Sequence, residues 1–187
     1  SPYRKMGQQG TYVCDVMFDD VMVPAENLVG GKENVGFRTA MKVLDKGRLH
    51  ISALSVGVAE RLIADSLKYA MERKQFGQRI AEFQLIQAML ADSQAEMYAA
   101  SCMVTDVARR RDSGENVAAL AAACKLFATE MVGRVADRAV QIHGGAGYIE
   151  DYGIERFYRD VRLFRIYEGT SQIQQTVVAR DMIRQAE

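Results

Sequence analysis

Proline occurs only twice in the 187 residues, histidine twice and cysteine three times. So little proline, beside 49% hydrophobic and 26% charged residues, excludes a disordered chain and leaves enough apolar side chains for one good-sized core. Net charge is also missing. Lysine plus arginine and aspartate plus glutamate both number 24, so no global field draws in nucleic acid or an anionic membrane. The densest basic run, Arg109 to Arg111, ends a helical pattern and complements the helix dipole as a solvated last turn. Cys14, Cys102 and Cys124 are odd in number and far apart, which gives no metal or redox spacing. Cys102 and Cys124 fall in alanine-rich stretches and read as buried small hydrophobes in a reducing compartment. His50 and His143 are too few for a histidine metal site or a Cys/His dyad, so no metal is expected. No apolar run reaches membrane-spanning length, and no signal peptide is visible. The chain opens Ser-Pro rather than Met, as a piece excised from a longer protein would.

What is present is mostly helical rhythm. Residues 12 to 23, YVCDVMFDDVMV, alternate like a strand with a bulge at Asp19-Asp20, and Pro24 closes the run. One strand needs a partner, so this segment is expected to pair with sequence beyond the chain. Residues 27 to 34 read as a turn. From Phe37 the period becomes helical to residue 73, with a break expected near Asp45-Lys46-Gly47 and one face carrying Ile51, Leu54, Val58 and Leu62. FGQRIAEF at 76 to 83 interrupts. A second helix carries Ile86, Leu90, Ser93, Met97, Ala100, Val104 and Val107, and stops at Gly114. A third carries Ala121, Cys124, Ala128, Met131, Val135, Ala139 and Ile142, and ends at Gly144-Gly145. A short helix near 154 to 162 follows. Ser171 and Gln174 have the spacing of a capping box for the last helix. Long helices with short links predict an all-α, antiparallel four-helix bundle, with a short β segment at the N-terminus. Residues 1 to 33 are expected to close a preceding β-domain and lead into a helical domain over 34 to 187.

Four features exceed what a plain bundle needs. In YEGTSQIQ, at 167 to 174, Glu168 sits on a glycine-flanked linker ahead of a helix, where helix propensity does not explain it. QIHGGAGY at 141 to 148 places three glycines where backbone can approach a ligand closely. RKQFG at 73 to 77 ends a helix with two cations and an aromatic ring. Asp45 and Arg48 flank Gly47.

Taken together, VMFDDVMVP, RKQFGQRIAEFQ, VQIHGGAGY, YRDVRLFRIYEGTSQIQ and the closing VVAR resemble the C-terminal part of an acyl-CoA dehydrogenase over almost the whole chain. The resemblance implies a tetrameric FAD enzyme, a dimer of dimers, that oxidises acyl-CoA to trans-2-enoyl-CoA and passes electrons to electron-transfer flavoprotein. It makes Glu168 the base that takes the α-proton and puts the Gly169 N–H near the thioester. It assigns Arg73, Lys74 and Gln75 to the FAD of a neighbouring subunit, with Phe83 and Gln84 as further contacts. It assigns Gln141, Ile142, His143, Gly144 and Gly145 to the adenosine half, and Thr170, Ser171 and Gln172 to FAD at the start of the last helix. Asp45, Lys46, Gly47, Arg48 and, by a looser match, Arg180 are implied acyl-CoA contacts. A branch of the family carries its base at the position matching Gly47. Glycine there leaves Glu168 without a rival. The chemistry suits a carboxylate in a closed apolar cleft, because an α-C–H beside a thioester is a very weak acid and needs a positioned base. The compartment implied is the cytoplasm of a bacterium or the mitochondrial matrix of a eukaryote.

Two other readings stay open on the residues. Acyl-CoA oxidases and nitroalkane oxidases resemble the same scaffold; the latter are associated with an aspartate base, which Glu168 argues against. A helical bundle serving only as an assembly module is the other.

Overall fold

The computed structural model describes residues 1–187, the side chain of Asp45 excepted. Five α-helices carry the structure: α1 (Gly36–Glu72), α2 (Gln84–Asp112), α3 (Ala118–His143), α4 (Ile154–Val161) and α5 (Ser171–Ala186). Leu49 near the start of α1 packs in one cluster with Val107 near the end of α2 and with Ala121 and Cys124 near the start of α3. Ala70 near the end of α1 packs with Ile142 at the end of α3, with Ile86 and Leu90 near the start of α2 beside them. Helices α1 and α3 therefore run together, and α2 runs against both. Ser171, the first residue of α5, bonds Glu130 on α3, while Arg180 and Arg184 lie beside Ala118–Leu120. So α5 also runs against α3, completing the expected up-down-up-down bundle. The short α4 packs on α3, where Ile154, Val161 and the following Phe164 join the main core.

The stripes predicted for α2 and α3 are the buried ones. All seven predicted α3 positions are buried, and Met97, Ala100 and Val107 anchor α2. The α1 stripe needs correction. Leu54 is exposed, and the face turned inward is Ser52, Ser55, Ala59, Leu62, Ser66 and Ala70. Small residues at steps of three and four let α3 approach closely. Ser52 and Ser55 satisfy their hydroxyls by donating to the carbonyls of Arg48 and Ile51, which is how serine enters a helix core without an orphaned donor. Losing the larger side chain of Leu62 by Leu62→Ala should cost about 2–5 kcal/mol.

Three local expectations also change. The break at Asp45-Lys46-Gly47 does not occur; α1 runs through it as one helix of 37 residues. The β segment over 12–23 forms no regular strand. One backbone bond, Tyr3 N–H to the Val13 carbonyl (2.8 Å), is what it makes of a ladder, and Val16, Met17, Phe18 and Met22 are exposed. A strand without a partner has nowhere to place its hydrogen bonds. The interruption expected at 76–83 is present, as a small hairpin, β1 (Lys74–Gln75) against β2 (Gln78–Arg79), followed by a turn of 3₁₀-helix. Cys102 is exposed, whereas Cys124 is buried as expected.

The candidate site at two ends of the bundle

Helix α5 begins one residue earlier in its capping than the sequence suggests. Thr170, not Ser171, is the cap, its Oγ1 accepting from the Ile173 N–H at 3.3 Å. Ser171 is thereby released to donate to Glu130 Oε1 at 2.7 Å, and Gln174 turns back toward the linker. Upstream, the Tyr167 ring lies nearly parallel to Phe164, with centroids 5.8 Å apart. Burial raises the Tyr167 hydroxyl pKa, the charge of Glu168 adds to this, and a hydrogen bond with Gln8 opposes it.

Between these two anchors the backbone turns left-handed twice. Glu168 has φ +55° and Gly169 φ +88°. Glutamate in that region is uphill by roughly 1–2 kcal/mol, so surrounding contacts must hold it. They do so through the carbonyls. Gln174 Nε2 donates to Glu168 O at 3.1 Å and to Gly169 O at 3.0 Å, and Lys125 Nζ donates to Gly169 O at 2.6 Å. The resulting turn lays the half-buried Glu168 carboxylate across α1 at Gly47. A Cβ at residue 47 would stand 2.1 Å from Glu168 Oε2 and 2.6 Å from its Cδ. Glycine at 47 leaves room for the carboxylate; it does not break the helix.

Lys125 is fully buried, and the sequence reading did not single it out. Burial, then the nearby Arg48 guanidinium, pull its ammonium down to about 8 against the opposing charges of Glu130 and Glu168. Its signal in the sequence is a cation on the buried stripe, four residues after Ala121 and three before Ala128. Arg48 is buried beside this cluster, and Lys46 is exposed. The side chain of Asp45 lies outside the described residues. Arg180 is exposed and lines a cleft of about 630 Å³ with Asn116, Leu120 and Val177, at the same end of α3 as Lys125.

The other expected cofactor contacts lie elsewhere. Arg73, Gln75, Phe83, Ile142, His143, Gly144 and Gly145 share a groove of about 540 Å³ at the far end of α1 and α3. Lys74, Gln84 and Gln141 are exposed nearby and do not line it. His143 stacks on Tyr69 with ring centroids 4.3 Å apart, and its Nδ1–H donates to the Ala139 carbonyl at 2.8 Å. Phe76 stands 93% exposed beside the groove, edge-on to Phe83. A Cβ at Gly144 or Gly145 would have no neighbour within 4 Å, so that backbone is open to an incoming group.

Thr170, Ser171 and Gln172 sit with Glu168; of these Gln172 is exposed. Along α3 the span from Lys125 to His143 rises roughly 27 Å. The two groups of candidate residues are thus at opposite ends of one bundle, and the chain does not bring them together.

The model for the acyl-CoA dehydrogenase C-terminal domain matches residues 34–183. A subunit of the caffeyl-CoA reductase–Etf complex of Acetobacterium woodii is 46% identical over 97% of this chain and 48% of its own length. A probable acyl-CoA dehydrogenase of Bacillus subtilis is 47% identical over 98% of this chain and 48% of its own. The structure of butyryl-CoA dehydrogenase from Megasphaera elsdenii superposes with a TM-score of 0.94 at 38% identity, over 98% of this chain and 48% of that one. The chain therefore spans about half the length of the relatives it matches. The family match extends over most of the chain, and the chain belongs to the acyl-CoA dehydrogenases.

Proposed function

We propose that the chain is the C-terminal part of an FAD-dependent acyl-CoA dehydrogenase that converts acyl-CoA to trans-2-enoyl-CoA. The observation that carries this reading is the Glu168 carboxylate, presented on a doubly left-handed turn and lodged against Gly47. A base on such a turn is pre-positioned, which is what abstraction of a weakly acidic α-proton requires. Glu168 takes that proton onto its carboxylate. Bound flavin supplies the acceptor for the β-hydride, which no side chain can. Lys46, Gly47 and Arg48, with Asp45 and Arg180, are the residues of this chain we assign to acyl-CoA, and the Gly169 N–H to its thioester.

The groove at the other end fits a flavin nucleotide. Arg73 offers a cation to a pyrophosphate, Phe76 and Phe83 offer aromatic faces, and Gly144-Gly145 offers open backbone. That this groove and Glu168 lie at opposite ends of α3 supports a reading in which each FAD is completed by two copies of the chain, within a homotetramer built as a dimer of dimers. Residues 1 to 33 are read as the end of a preceding β-domain and 34 to 187 as the helical domain. Electron-transfer flavoprotein is the proposed electron acceptor, and the bacterial cytoplasm or the mitochondrial matrix the compartment. Among the described residues, no helix is long and apolar enough to cross a membrane.

A second reading reverses the direction. The Acetobacterium relative is a subunit of a caffeyl-CoA reductase complex, and the same carboxylate can return an α-proton to an enoyl-CoA. Full-length protein assayed on a panel of acyl-CoAs with an artificial electron acceptor tests the proposal, with formation of trans-2-enoyl-CoA expected. Failure on every acyl-CoA, with reduction of an enoyl-CoA by reduced flavin instead, favours the reverse. Rapid reoxidation of the substrate-reduced enzyme by air would point to an oxidase, and a colourless full-length protein to an assembly module.

A further inference from the structure

We propose that Lys125 is a positioning residue for the base: through the Gly169 carbonyl it holds the turn that aims the Glu168 carboxylate at Gly47. This rests on the reading of Glu168 as the base and goes beyond it. The turn is anchored on both sides, by the Tyr167–Phe164 stack before it and by the Thr170 cap and the Ser171–Glu130 bond after it. Those anchors fix the ends of the linker and leave the two left-handed peptides to be held separately. Two side chains do so, Gln174 and Lys125, and both converge on the Gly169 oxygen. The Lys125 bond is the shorter, at 2.6 Å, and joins the turn to the buried face of α3, whereas Gln174 belongs to the helix that follows the turn.

Stability does not account for a lysine at this place. Its side chain is fully buried, and burial disfavours its charged form. An apolar side chain of similar length would fill the same space without desolvating a cation. What that side chain could not do is donate to a carbonyl one peptide away from the base.

The full-length flavoenzyme carrying Lys125→Met tests this. Expected are full flavin content, a melting temperature no lower than that of the parent, unchanged acyl-CoA affinity, and flavin reduction slowed about ten- to a hundredfold, since misplacement by about 1 Å can cost that much. Placed in a Glu168→Gln background, Lys125→Met should slow the residual reaction less than about twofold, because no base remains to be positioned. Lys125→Arg, which keeps a cationic donor, should recover part of the rate. An unchanged reduction rate in Lys125→Met overturns the proposal, as does an equal loss in both backgrounds. If Lys125→Met does not fold and Lys125→Arg restores rate only in proportion to flavin content, the lysine is structural and the proposal is likewise overturned. A parent enzyme without activity on any acyl-CoA would instead remove the functional reading itself.

Discussion

Glu168 and Gly47 share one space. The carboxylate of the first fills the volume where a Cβ on the second would stand, 2.1 Å from Oε2. Gly47→Ala should therefore separate folding from catalysis. The helix gains a better former, worth about 0.5–1 kcal/mol, and the colliding atoms are the far end of a flexible side chain that can move aside. The base is then displaced. Thermal unfolding should show equal or greater stability while turnover falls at least about tenfold. A fully active Gly47→Ala enzyme would mean that the carboxylate works from somewhere else.

The same contact makes the two positions exchangeable. Glu168→Gly combined with Gly47→Glu should recover part of the activity that Glu168→Gly alone removes, as judged by flavin reduction in single turnover. No recovery at all, in a protein with full flavin content, would deny that residue 47 faces the reacting carbon.

Arg73→Ala should shed FAD and loosen the assembly, because its groove lies at the opposite end of α3 from Glu168 and serves a neighbour's cofactor in the proposed tetramer. A lost charge-assisted contact to phosphate costs about 1.5–3 kcal/mol. Flavin absorbance after gel filtration and sedimentation velocity measure the two effects together. Unchanged flavin and unchanged mass would remove the shared-site reading.

Lys125 gives a pH dependence of definite sign. Its ammonium titrates at about 8 in the fold against 10.5 ordinarily, so between those values the unfolded chain binds more protons. Stability contributed by this group consequently rises with pH across that window, and the burial cost is fully present below it. The full difference is on the order of 3 kcal/mol. Denaturant unfolding of parent and Lys125→Met from pH 7 to 10.5 should show the parent gaining on the variant as pH rises. A constant gap would contradict the depressed pKa.

The bundle was legible because apolar residues on α2 and α3 recur at steps of three and four, and that rhythm survives as the buried stripe. On α1 it misled, since the buried face is built from Ser52, Ser55, Ala59 and Ser66, which hydropathy does not mark. Gly47 suggested a broken helix, because local propensity carries no trace of a carboxylate arriving from residue 168. Ser171 suggested a capping box, yet Thr170 takes the cap and Ser171 reaches Glu130, 41 residues away in sequence. Glu168 itself stood out, since a lone glutamate on a glycine-flanked linker has no local reason to be there. Lys125 did not, although a lysine on a core stripe is a visible anomaly. Its partner, the Gly169 carbonyl, is a backbone atom and leaves no mark in the sequence.

Flavin reduction by acyl-CoA in full-length Glu168→Gln tests the central claim most directly. Glutamine keeps the shape and much of the hydrogen bonding but cannot accept the α-proton, so binding should survive while the transition state does not. The account predicts unchanged flavin content, unchanged acyl-CoA affinity and a reduction rate lower by on the order of 10²- to 10⁴-fold. Near-normal reduction would show that Glu168 is not the base, and loss of flavin would make its role structural.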